Sequence, residues 1–180
     1  MTITPDRPIP DRPTAAYVPF FVDGLALVTC WTANREALLA QRATAHLVLS
    51  VLGRLQREKH FDLIAYVILP DHVHWLIRTA PGQATDPIVE LFLFRYGRDY
   101  AQLMGSPEAL EVWDHRRKVE RLADVDVFAA ALDRIHYDPV LHGHAQRPEA
   151  WTFGSYEQWI DRGLYKLGWG WRRPARLQGG

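Results

Sequence analysis

The apolar runs FDLIAYVIL and HVHWLIRT are separated only by Pro70-Asp71. A two-residue gap with turn chemistry joins antiparallel strands, whereas a parallel pair needs a crossover of about a dozen residues or more. This hairpin sets the frame for the chain around it. Upstream, YVPFFVDGLALVTCWT is strand-like, either a hairpin or one strand broken at Asp23-Gly24, with order beginning near Tyr17. In ANREALLAQRATAHLVLSVLGRLQREKH, the residues Leu38, Leu39, Leu47, Leu49, Val51, Leu52 and Leu55 recur at helical spacing behind Asn34 as N-cap. A second helix is predicted from about Asp86, as cap, with Pro87 at its first position, to Met104 before Gly105-Ser106-Pro107. RRKVERLA reads as a short edge strand, and DVDVFAAALDRIHY as a third helix that starts at Asp124 or Asp126 and stops at Asp138-Pro139. The order predicts an α+β fold: a ferredoxin-like antiparallel sheet with helices on one face plus an extra C-terminal helix.

With 180 residues, 48% of them hydrophobic, the chain suits one domain with a sizeable core. Residues 1–16, with Pro5, Pro8, Pro10 and Pro13, read as a flexible Pro-rich arm, 17–161 as the folded body, and 162–180 as a basic aromatic tail. The single cysteine, Cys30, lies in an apolar run and reads as a buried thiol, consistent with a reducing cytoplasm. Neither a signal-peptide core nor a run long enough to cross a membrane is visible. The formal net charge of +0 gives no global pull toward a polyanion, so such a partner has to use local patches. Two are present. One is WDHRRK, with His115, Arg116, Arg117 and Lys118; the other is the stretch with Arg162, Lys166, Arg172, Arg173 and Arg176, interleaved with Tyr165, Trp169 and Trp171. Cations for phosphates and rings for bases suit single strands; the other reading of the second patch is a solubilising tail with docked tryptophans.

On a strand, side chains alternate faces, so His72 and His74 point the same way and offer two imidazole nitrogens to one divalent ion. Two ligands do not complete a site, and a metal-free histidine pair satisfies the same pattern. Tyr96 and Tyr100 read as packing aromatics, His60 as a helix-end residue, and His142 and His144 in HGH as loop residues.

LIAYVILPDHVHWLI resembles the HUH strand of the REP-associated and insertion-sequence (IS200-like) tyrosine transposases. DRIHYDPVLHGHAQRPEAWTFGSYEQWIDRGLY resembles that family's helix with an N-P-V-like turn, a W-x-x-S-Y-like segment and an R-G-L-Y tail. The resemblance implies processing of single-stranded or hairpin DNA, with Mg²⁺ or Mn²⁺ held by His72, His74 and Asp138, a position more often Asn or Gln. It also implies a tyrosine that attacks the scissile phosphate and leaves a 5′-phosphotyrosine and a free 3′-OH. Aligned on Asp133 and Pro139, the nucleophile's position holds Arg134, which has no nucleophilic oxygen. Tyr137, one helical turn on, is the candidate replacement; a ring packed on the sheet is the alternative role for it. Asp138 before proline is equally a turn residue. Two function classes follow: a metal-dependent enzyme that cleaves and rejoins DNA through Tyr137, or a silent, domesticated DNA-binding module in which Arg134 is a phosphate clamp. DNA contacts are expected from Arg134, Arg116, Arg117, Lys118, Arg162, Lys166, Arg172 and Arg173. The resemblance places the chain in the bacterial cytoplasm, nucleoid-associated, as a monomer or homodimer.

Overall fold

A computed structural model describes residues 23–108 and 110–178. The arm expected over 1–16 and the strand start expected at Tyr17 lie outside them. Eight main elements follow in order: β1 (Leu25–Thr32), α1 (Arg42–Lys59), β2 (Asp62–Leu69), β3 (His72–Arg78), α2 (Asp86–Leu103), β4 (Trp113–Arg121), α3 (Val125–Leu141) and the short α4 (Tyr156–Asp161). The four strands form one antiparallel sheet in the order β2-β3-β1-β4, the ferredoxin-like arrangement, so the histidine-bearing β3 is central. Strand β4 forms one edge as expected. The β2 edge is closed by the segment after α3, where Val67 bridges Gly154, and Ile68 N–H donates to the Phe153 carbonyl at 2.8 Å. Covering an edge in this way removes a row of unpaired backbone groups.

Strand alternation divides the core into two. Val28, Cys30, Val73, Trp75 and Ile77 meet α1 and α2 on one face, through Val48, Val51, Leu52, Leu55, Ile88, Val89 and Phe92. Tyr96 links the two helices, its hydroxyl donating to the Thr44 carbonyl at 3.1 Å. Tyr96 and Tyr100 are both buried packing aromatics, and burial pushes the Cys30 thiol up to about 12. On the other face, Leu25, Leu27, Val67, Leu69 and Leu76 pack against Phe128, Leu132 and Ile135 of α3. Thus α1 and α2 share one face and the extra helix covers the other.

Three local expectations are corrected. Helix α1 starts at Arg42, not after Asn34, because Asn34 and Arg35 both have positive φ (52° and 60°), which no helix accommodates. Leu39 instead sends its N–H to the Pro70 carbonyl at 2.9 Å, anchoring the linker on the β2–β3 turn. In α2, Thr85 is the N-cap and Asp86 the first helical residue. Helix α3 is capped by Asp124, which accepts from Val127 N–H, but it runs through Pro139 to Leu141. The proline removes only the bond its own N–H would have made. One further turn is closed by His142 N–H to the Asp138 carbonyl at 3.0 Å, and by His144 and Ala145 N–H to the Pro139 carbonyl at 2.8 and 3.1 Å. That extra turn determines where His142 sits.

Candidate functional site

His72 and His74 project from β3 toward α3, and both are 2% exposed. Asp138, also buried, comes down from α3 between them: Oδ2 is 3.2 Å from His72 Nε2 and 3.3 Å from His74 Nε2. Each ring is oriented from behind. His72 Nδ1 lies 2.6 Å from Asp71 Oδ1, and Asp71 in turn meets Arg35 at 3.0 Å. His74 Nδ1 lies 2.8 Å from Thr29 Oγ1, the residue directly opposite on β1. With both Nδ1 atoms engaged, both Nε2 atoms face the same carboxylate, the orientation that histidines adopt when a metal takes the other nitrogen. Ligand atoms about 2.1 Å from one ion stand about 3 Å apart when they meet at right angles, the spacing of Asp138 Oδ2 from each of the two Nε2 atoms.

The electrostatics agree. Burial pushes the Asp138 carboxyl up, but hydrogen bonds with His72 and His74 outweigh it and hold it well below the usual carboxylate range. Burial pushes the His74 imidazole down, against the pull of Asp138, and the nearby Arg134 charge lowers it further. A neutral imidazole nitrogen beside an ionised carboxylate suits a cation.

The sequence-predicted residues separate on the helix surface. Arg134 lies four residues before Asp138, on the same stripe of α3; it is exposed and makes no ion pair with another described residue. Tyr137 lies about 100° round from Asp138. Its ring is buried in the α3-side core, and a Cβ placed on Gly170 of the C-terminal segment would lie 3.6 Å from its Cδ2. The arrangement brings His72, His74, Asp138 and Arg134 together and turns Tyr137 to the C-terminal segment.

Of the two basic patches, the one on β4 has its cations paired with neighbouring acids. Arg116 pairs with Asp114 at 3.2 Å, Arg117 with Glu90 at 2.7 Å and Lys118 with Glu120 at 2.8 Å. Arg162, Lys166, Arg172 and Arg173 are exposed and form no ion pair with a described residue. Arg176 differs, binding the buried Asp133 at 2.9 Å. Tyr165 and Trp169 are not stacking platforms: they are buried, stacked on each other at 4.2 Å, while Trp171 stays 56% exposed.

Sequence reading missed Thr29, Arg35 and His142. Thr29 and Arg35 carry no pattern of their own, whereas Asp71 is visible as a turn residue beside the pair. His142, expected in a loop, ends α3 one turn beyond Asp138, with Nε2 3.6 Å from Asp138 Oδ1. A cleft of about 510 Å³ lined by Asp23, Thr79, Gln83 and Arg121 lies at the opposite end of β3 and holds no such cluster.

A family model described as "Transposase IS200 like" matches residues 25–118, more than half of the chain, including His72 and His74 and stopping before α3. The REP-associated tyrosine transposase of Escherichia coli (strain K12) is 26% identical over 116 residues, 64% of this chain and 67% of that protein. A putative REP-associated tyrosine transposase of Haemophilus influenzae is 24% identical over 127 residues, 66% and 72% of the two chains. The solved structure of a REP-associated tyrosine transposase bound to a REP hairpin superposes with a TM-score of 0.70 at 20% identity, covering 81% of this chain and 84% of that one. It shares the fold. No helix among the described residues is long and apolar enough to cross a membrane.

Proposed function

The chain belongs to the IS200-like transposase family, and on that premise we propose that it binds single-stranded or hairpin DNA without cutting it. A backbone phosphate lies over the His72–His74–Asp138 cluster, and Arg134 clamps it where enzymes of the family present a tyrosine. The observation that carries this reading is the split on α3: Arg134 is exposed on the Asp138 stripe, and Tyr137 is packed against the C-terminal segment. His72, His74 and Asp138 would hold a divalent ion, which when bound would offer positive charge to a non-bridging phosphate oxygen. Asp71 and Thr29 keep the two imidazoles aimed, Asp138 balances the charge, and the guanidinium offers a planar fork of donors to the same phosphate. Arg162, Lys166, Arg172 and Arg173 extend the binding surface along the strand, with Trp171 as the exposed ring for a base. The hairpin carried by the related solved structure supports a hairpin as the ligand.

Titrating a labelled hairpin and a labelled duplex at two salt concentrations tests this. Hairpin binding is expected to be tighter and to weaken steeply with salt, and Arg134→Ala to weaken it about tenfold, the size of one charge-assisted hydrogen bond. Weak, salt-insensitive binding to both, unchanged in Arg134→Ala, contradicts the reading.

A further inference from the structure

We propose that His142 is a further imidazole ligand of the centre, acting together with His72 and Asp138 and giving it a preference for Mn²⁺, Co²⁺ or Zn²⁺ over Mg²⁺. The inference rests on the reading of His72, His74 and Asp138 as a metal centre. His72, Asp138 and His142 each offer a ligand atom, and the three atoms lie within 4.8 Å of one another, while His74 stands outside this set and meets Asp138 Oδ2 at 3.3 Å. His142 approaches Asp138 Oδ1 while His72 and His74 share Oδ2, so the imidazoles surround the carboxylate from different sides. Its side chain is 44% exposed, which places it on the solvent edge of an otherwise buried cluster, where an ion enters.

The ring is also braced. It lies edge-on to His72 at 5.1 Å and stacks on His144 at 6.2 Å. His144 is brought back by Gly143, whose φ of 71° favours glycine, and leans on Trp151 at 5.6 Å. Trp151 is fixed by its indole N–H donating to the Ile68 carbonyl at 3.1 Å. Because α3 continues past Pro139, His142 stands one turn past Asp138 on the same stripe. Imidazole nitrogens suit the later transition metals, whereas Mg²⁺ takes oxygen ligands and keeps its waters, so a further nitrogen moves selectivity away from Mg²⁺. The other role for a histidine here is complementing the helix C-terminus, which alters stability and leaves metal selectivity alone.

Calorimetric titration of the full chain, free of DNA, with Zn²⁺, Mn²⁺ and Mg²⁺ tests the inference. Wild type is expected to bind Zn²⁺ and Mn²⁺ more tightly than Mg²⁺. His142→Ala and His142→Gln are expected to lower Zn²⁺ affinity tenfold or more and to change the visible absorption of the Co²⁺-loaded protein, with the metal-free melting curves confirming that both variants are folded. Unchanged Zn²⁺ affinity and Co²⁺ spectrum in both variants, with binding abolished in His72→Ala, overturns the role of His142 and leaves the two-histidine centre standing. No binding of any ion by wild type overturns both, while hairpin binding, measured separately, tests the DNA reading by itself.

Discussion

Two sides of α3 carry nearly the same residue types and come to opposite uses. One stripe holds Arg134, Asp138 and His142; the rest of the surface over the same turns holds Asp133, His136 and Tyr137. On the first, an acid meets the histidines of the central strand β3, with His142 partly exposed at the margin, and a cation stands exposed beside them. On the second, the C-terminal segment seals everything. Asp133 is fully buried against Arg176, and His136 sits 3.0 Å from the Tyr165 hydroxyl and 2.8 Å from Ser155 Oγ, ringed by Tyr156, Trp159 and Trp169. Partners, rather than residue type, separate a site from a structural node.

The sealed side gives the largest expected effect. Burial pushes the His136 imidazole down to about 3 from an ordinary value of 6.5, so below pH 6.5 the unfolded chain takes up a proton that the folded chain refuses. Stability is therefore fully present above the unfolded value and falls as pH drops, by about 1.4 kcal/mol per pH unit, until the folded value is reached. His74, lowered by burial, adds in the same direction. Denaturant midpoints across this range measure the slope, and His136→Gln, which removes the titration, is expected to flatten it. An equal slope in that variant breaks the comparison.

A smaller loss is expected from Arg176→Ala, which leaves the Asp133 carboxylate buried without its guanidinium, at a cost of about 3 kcal/mol. Asp138→Asn, on the stripe that carries Arg134 and His142, is expected to change stability by less than that and to weaken metal binding instead. Thermal melts and metal titrations of the two variants, run side by side, sharpen the contrast; a greater stability loss in Asp138→Asn reverses it.

The smallest effect concerns the cations. Neutralising Arg172 and Arg173 is expected to lower the salt slope of hairpin binding by about 0.7 for each phosphate that no longer has its cation, a single-strand value. Neutralising Arg116 and Lys118, already paired on β4, is expected to change it less. Equal slopes from the two pairs would place the β4 cations on the DNA after all.

What was legible in the sequence was whatever depends on neighbours along the chain. The His72–Val73–His74 alternation, the Pro70-Asp71 turn and the Asp124 cap are local signals, and the structure has all three. The missed features come from contacts between distant segments. Asn34 and Arg35 take left-handed conformations where Leu39 anchors the following linker on the Pro70 carbonyl. Pro139 reads as a stop because of its ring, yet α3 is held by the sheet beneath it and by the bonds one turn later. Tyr165 and Trp169 read as platforms because their partners, His136 and Tyr156, lie in other elements.

The central claim is that Arg134 replaces a nucleophile that Tyr137 does not supply. Incubating the full chain with Mn²⁺ and a pool of hairpins with single-stranded flanks, then separating protein from DNA under denaturing conditions, tests it most directly. In a competent enzyme, a tyrosine oxygen bonds to phosphorus as the 3′-oxygen leaves with a proton, and the protein migrates with DNA attached. Wild type is predicted to give no adduct, and Arg134→Tyr to give one that His72→Ala abolishes. A wild-type adduct that disappears in Tyr137→Phe would contradict the account and restore Tyr137 as the nucleophile.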